Sequence, residues 1–338
     1  MRPFRAKSAR AVAAARGRRA RQRGVLGRPP GPAACITAAV PKPRYDCIVV
    51  GGGPAGAVAA VYLARFRRKV LIVESGESRA RWIPRTRNVP AYPAGLSGTD
   101  LLARLDEQVA RYDVARVSAR VTSIRGERDA FTLRGQGGSW QARTVLVATG
   151  VSDILPADLA MVRPLIAAGG VRLCAVCDAY EVRGKRIAVL SRGAHGVREA
   201  RFLSAYSRDV TLLTHGAGFL DAALNRELRD ASVKVHEARL LGLKPAGRGL
   251  ALEFGDGCGL EVDALYVGLG VRVHSGIADP LGARRNAAGY LRVAAGQQTS
   301  VRGIYAAGDV VQSLSQISVA FGQAAIAASA INQSLGER

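Results

Sequence analysis

What this chain lacks narrows its class before any motif is read. It has no apolar run near the roughly 18 residues that a bilayer crossing needs, because its densest stretches are broken by Arg, Gly or Ser. No membrane association is expected. Its four histidines, His195, His215, His236 and His274, stand singly, without the paired spacing of metal ligands, so no metal site is expected. Five irregularly spaced cysteines do not make the disulfide framework of a small secreted domain, and a reducing, cytoplasmic setting is the default. Aromatics are 5% of the residues while hydrophobics are 48%, an ordinary balance for an α/β protein long enough, at 338 residues, for about two domains.

Acidic residues are missing from residues 1–44, which hold ten Arg and two Lys and so account for 12 of the 23 net positive charges. Lysine is scarce throughout, at six residues. The remaining basic excess is therefore nearly all Arg, which a GC-rich genome produces without selection for a nucleic-acid partner, and none is expected. Trp82-Ile83-Pro84-Arg85 is too short to argue otherwise. Residues 1–42 have low complexity and cannot bury enough apolar surface to offset ordering entropy, so they are expected to be disordered. They read first as a stretch translated upstream of the native start, with a transit peptide or an anion-binding arm as alternatives; a secretory signal would need an apolar h-region.

Beyond this segment, Cys47-Ile48-Val49-Val50 predicts a buried parallel strand, an Ala-rich helix follows through Phe66, and Val70 to Val73 predicts the next strand. Ser97 to Asp100 has the form of a capping box before a one-faced helix at Leu101 to Val109. Val117 to Ile124, Phe131 to Leu133 and Gln141 to Val147 read as small antiparallel strands. The βαβ plan then repeats: strand Ile187 to Leu190, helix Val197 to Tyr206, strand Val210 to Leu213, with Val233 to Val235, Leu250 to Phe254 and Leu265 to Val267 completing that unit. Ile304 to Asp309 reads as a further strand and Ile317 to Ile331 as a closing helix. The expected fold class is α/β, with two Rossmann-like nucleotide-binding domains, the second (153–271) inserted into the first (43–152 and 272–338).

Gly51, Gly53 and Gly56 satisfy G-x-G-x-x-G after a strand and at a helix start, and Glu74 follows about 20 residues on. Glycines are needed there because the chain turns tightly, admits a pyrophosphate to its backbone and packs helix on strand; helix-start N–H groups then bind the anion. Glu74 can accept hydrogen bonds from ribose hydroxyls. The corresponding turn of the second unit, Ser191-Arg192-Gly193-Ala194-His195-Gly196, has lost its first glycine, and Thr214-His215-Gly216 offers neither an acid nor paired arginines at the next strand end. Cys174-Ala175-Val176-Cys177 is the remaining motif. Two buried small residues or half a zinc site are the bland alternatives, but further ligands at suitable spacing are lacking. A C-x-x-C at a helix start instead favours thiolate, so that one sulfur attacks an external disulfide and its neighbour resolves the mixed species. Asp178 is placed to donate or accept the accompanying proton, or else to cap a helix. Cys47 reads as buried filler, and Cys35 and Cys258 have no evident partner.

Gly51 to Gly56, Asn88 to Gly95 with Tyr92-Pro93, Val147 to Gly150, Cys174 to Asp178 and Gly303 to Asp309, in that order between Tyr45 and Asn332, resemble the low-molecular-weight thioredoxin reductase family of flavoproteins. The resemblance implies FAD in the first domain, with Gly51, Gly53, Pro54, Ala55 and Gly56 at the pyrophosphate and Glu74 at the ribose. Asn88, Ala148, Gly150, Gly308, Asp309 and Gln316 would line the rest of the flavin site. It further implies an enzyme using Cys174 and Cys177 catalytically with Asp178, a thioredoxin-like protein or small dithiol as partner, and a homodimer. Two departures stand out. Ser315 replaces an Arg usually found before the glutamine, and the weakened second turn predicts weak or absent reduction by NADPH. This resembles divergent members supplied by ferredoxin or another flavoprotein, or acting as dithiol oxidases toward oxygen. The competing class is a non-enzymatic flavin-binding sensor or partner module.

Overall fold

A computed structural model describes residues 44–156, 159, 162–216 and 220–336. The expectations for residues 1–42, Cys35 included, lie outside the described residues. β1 (Arg44–Val50) is covered on both faces over Cys47 to Val50, which is why that part of its sequence is an unbroken apolar run rather than an alternating one. Cys47 and Val49 join the core beneath α1 (Pro54–Arg65), and Ile48 and Val50 join the core on the opposite face with Phe131 and Leu133. β2 (Val70–Glu74) runs parallel to β1. α2 (Gly98–Val109) starts where the capping residues predict, the Ser97 hydroxyl accepting from the Asp100 N–H at 3.0 Å.

β3 (Val114–Ser118), β4 (Val121–Arg125), β5 (Phe131–Gly135) and β6 (Gly138–Val147) complete a sheet in the order β3-β2-β1-β6-β5-β4, and Ile304–Ala306 adds parallel to β6. The single antiparallel strand expected over Val117 to Ile124 is two. Val117 lies in β3, parallel to β2, while Val121 and Ile124 lie in β4, antiparallel to β5. Both strands have a period of two, so alternation could not reveal the change of partner between them.

After β7 (Val151–Asp153), α3 (Val162–Ala167), β8 (Val171–Arg172) and the single-turn α4 (Ala175–Asp178) comes the second parallel unit. It comprises β9 (Ile187–Ser191), α5 (Gly193–Ser204), β10 (Val210–Leu213), α6 (Ala222–Asp230) and β11 (Lys234–His236). β12 (Leu240–Ala246), β13 (Gly249–Phe254) and β14 (Gly259–Val262) follow, then β15 (Ala264–Gly268) and β16 (Val271–Val273). The parallel sheet has the order β11-β10-β9-β15-β8. Leu250 to Phe254 does not join it, contrary to expectation: as β13 it lies between β12 and β14 in a separate antiparallel ladder. The alternating exposure of β13 suits a sheet with one wet face. β16 pairs antiparallel with β7 as the chain returns to the first sheet, which β17 (Ile304–Ala306) then joins, and α7 (Ile317–Ser334) packs on α1.

Strand alternation divides the side chains of β15 between the two faces of the second sheet. Leu265 and Val267 face α3 and the antiparallel ladder, whereas Ala264 and Tyr266 face Ala175, Ala179 and α5.

Candidate active site

The first glycine turn sits where β1 and β6 part company, the point at which open α/β sheets leave a crevice. Gly51 has φ +109°, and a Cβ there would overlap the Ala148 carbonyl oxygen. A Cβ on Gly56 would overlap the Gly51 carbonyl oxygen, and one on Gly52 the Glu74 carboxylate. Gly53 caps α1 with Pro54 at its first turn, leaving the first amide N–H groups without carbonyl partners in the helix. Glu74, at the end of β2, is held by Arg116 at 2.7 Å, and Arg116 also reaches Asp106 at 2.9 Å.

A cavity of about 880 Å³ runs from this turn to the cysteine pair. Gly51, Gly53, Pro54, Ala55, Glu74, Asn88, Ala148, Gly150, Cys174, Cys177, Asp178, Gly308, Asp309 and Gln316 all line it. Gly56 stands behind the lining, packed against the turn. Three residues that sequence reasoning missed, Arg79, Asp153 and Thr86, organise the cavity wall. Arg79 grips Asp153 through two hydrogen bonds of 2.7 and 2.8 Å and reaches Asp309 at 3.3 Å. Burial raises the Asp309 carboxyl above its ordinary range, against the pull of Arg79. Thr86 donates to Asn88 at 2.7 Å, and Asn88 donates to the Gln316 oxygen at 2.8 Å. The Gln316 amide then donates to Cys177 Sγ at 3.4 Å and lies 3.9 Å from Cys174 Sγ. This chain of amides aims an N–H at sulfur, which favours thiolate when the bond opens.

Cys174 and Cys177 form a disulfide at the start of α4. Asp178 does not cap a helix with its side chain, unlike the alternative weighed for it. It ends α4 and is bound by Arg172 at 2.6 Å and by the Tyr266 hydroxyl at 2.8 Å. Burial raises its carboxyl above the usual range, and these two donors oppose the rise. Cys47 is buried and Cys258 exposed, neither in a disulfide. No cluster able to hold a metal ion occurs among the described residues, and no helix of the described residues is long and apolar enough to cross a membrane.

The second glycine turn follows β9, beside the end of its parallel neighbour β15. Ser191 is buried and donates to the Gly268 carbonyl at 2.7 Å. A Cβ on Gly268 would overlap the Glu199 carboxylate, whose Oε2 is buried without a hydrogen-bond partner. Burial pushes the Glu199 carboxyl up to about 7. His195 and Arg192 are exposed, with His195 4.0 Å from Glu199. His215 at the end of β10 accepts from the Leu240 N–H at 3.2 Å. The second turn thus lacks the first glycine of the dinucleotide fingerprint and has an acid packed against Gly268 on the neighbouring strand.

The family model described as pyridine nucleotide-disulphide oxidoreductase matches residues 45–324. The chain belongs to this family. As a member of the pyridine nucleotide-disulphide oxidoreductases, it is 30% identical over 311 residues to the thioredoxin reductase of Peptoclostridium litorale, covering 84% of this chain and 95% of that protein. It is also 30% identical over 285 residues to the glucosaminate ammonia-lyase of Pseudomonas fluorescens, covering 78% and 87%. Among solved structures, the crystal structure of HlmI superposes with a TM-score of 0.79 at 30% identity, over 86% of this chain and 92% of that one.

The chain is thus an oxidoreductase of the thioredoxin-reductase-like kind, a divergent member of the low-molecular-weight type. FAD is the family's cofactor, and the first turn fits it: a cradle in which side chains would overlap backbone, an acid at the next strand end, and a long cavity beyond. Arg172, Tyr266 and Glu199 left no local signal in the sequence, because each acquires its role through a neighbour distant along the chain or across the sheet.

Proposed function

We propose that the protein is an FAD-dependent dithiol-disulfide oxidoreductase that exchanges with a thioredoxin-like protein or a small dithiol through Cys174 and Cys177. The observation that carries this reading is the Cys174–Cys177 disulfide in the wall of the cavity, with the Gln316 amide directed at Cys177. The identity shared with an ammonia-lyase argues nothing about sulfur, so the pair and not the percentage supports the assignment. In this reading the turn from Gly51 to Gly56 holds the pyrophosphate through backbone N–H groups such as those of Gly53 and Ala55, Pro54 having none and Gly51 donating to the Val73 carbonyl, and Glu74, steadied by Arg116, holds the ribose. Asp309 and Gln316 stand along the remainder of the cofactor. FAD, when bound, would supply a two-electron store that the disulfide can draw on. Gln316 orients the cysteine sulfurs, Asp178 handles the proton of the thiol, and the glycine cradle keeps side chains out of the anion's path.

In this reading NADPH reduces the flavin weakly or not at all, for which the serine at the first glycine position and the acid packed against Gly268 are the support. Dithionite titration under argon tests the role of the disulfide. The wild-type flavoprotein should take up two more electrons per flavin than Cys174→Ser, since reducing a disulfide is a two-electron step. Equal uptake would refute the assignment.

A further inference from the structure

Both oxygens of Asp178 are engaged, and the register of the second sheet is the reason. Arg172 and Tyr266 are register partners on the adjacent parallel strands β8 and β15. Partners on neighbouring strands send their side chains from the same face, and Tyr266 shares that face with Ala175 and Ala179, which flank Asp178. Arg172 Nη1 donates to Oδ2 and the Tyr266 hydroxyl to Oδ1. The Arg172 Nε is buried without a hydrogen-bond partner, so Asp178 is what the guanidinium holds. Arg172 and Asp178 line the cavity together with both cysteines.

We propose that Arg172 is a positioning residue of the exchange reaction: with the Tyr266 hydroxyl it favours the carboxylate form of Asp178 and fixes it beside the Cys174–Cys177 disulfide, where it takes a proton from an incoming thiol. The inference rests on the dithiol-exchange reading under the proposed function. An external thiol gives its proton to the Asp178 carboxylate, and the thiolate so formed attacks one sulfur of the disulfide. A mixed disulfide forms, the Cys174–Cys177 bond breaks, and the released cysteine thiolate takes the proton from Asp178. The second thiol of the same dithiol then displaces the mixed disulfide, its proton passing to the departing cysteine. The cysteine pair gains two electrons and two protons, and the dithiol loses the same and closes its own disulfide.

The groups facing Asp178 decide what loss of Arg172 does. Arg172 comes from β8, Tyr266 from β15, and Glu181 from the turn after α4, where Arg87 lies 3.8 Å from it. Without Arg172, burial and the Glu181 charge both favour the neutral acid, opposed by Tyr266 alone. The protonation midpoint therefore moves to higher pH.

The test mixes the oxidised holoprotein with dithiothreitol under argon at a series of pH values below about 8, where that reagent is mainly thiol. Samples are quenched by alkylation and the labelled Cys174 and Cys177 counted by mass spectrometry. Arg172→Gln should move the pH limb of the exchange rate up by about one unit, which is about a tenfold loss of rate below the midpoint. Arg172→Lys should restore most of the position and Asp178→Asn should abolish the limb. Flavin absorbance retained after desalting shows that each variant is folded. A limb in Arg172→Gln that superimposes on wild type overturns the inference, as does a failure of Arg172→Lys to move the limb back. Absence of any dithiol-dependent labelling in wild type refutes instead the exchange reading on which it rests.

Discussion

Replacing Glu199 with Gln should change stability in a strongly pH-dependent way. The carboxylate is 12% exposed, packs against Gly268, and has one oxygen buried without a partner, so its charged form is penalised in the fold. A rise from the ordinary 4.5 to about 7 costs about 3 kcal/mol once the group is ionised, at roughly 1.4 kcal/mol per pH unit. The sign comes from proton linkage: between those two values the native state binds more protons than the unfolded one, so stability falls as pH rises. Below 4.5 both states carry the proton and the penalty vanishes; above about 7 it is complete. Glu199→Gln keeps the shape and removes the titration. Urea unfolding of the holoprotein at about pH 8 should therefore find the variant more stable by about 3 kcal/mol, with the gap shrinking to under about 1 kcal/mol near pH 5. A difference of the same size at both pH values would show that Glu199 is not held in an apolar crevice.

Gly56→Ala should leave little flavin bound after gel filtration, because its Cβ would displace the Gly51 carbonyl and with it the turn, costing about 2 kcal/mol or more; a variant that keeps a full complement of flavin would contradict the cradle. Adding NADPH to the oxidised flavoprotein should bleach the flavin slowly or not at all, and rapid bleaching at micromolar NADPH would reverse the reading of the Ser191 turn.

Gly51 to Gly56 and Glu74 were legible because the fingerprint is local: a strand, a tight turn and a helix lie within about 30 residues, and the glycines are demanded by the backbone itself. Cys174 and Cys177 were legible for the same reason, being four residues that close on themselves. Strand type was less so. Val117 to Ile124 and Leu250 to Phe254 alternate as half-buried strands do, yet the sequence does not say which edge each pairs with.

The sequence by itself determined the nucleotide-binding plan, the disulfide and the loss of the second cradle's first glycine, since each depends on neighbours along the chain. Only the tertiary structure decided what surrounds them. Arg79 meets Asp309 across 230 residues, Gln316 meets Cys177 across 139, and Tyr266 meets Asp178 across 88. The physical reason is register. A parallel sheet sets Tyr266 beside Arg172 and aims both at the turn that carries the cysteines, and no spacing in the sequence encodes that pairing.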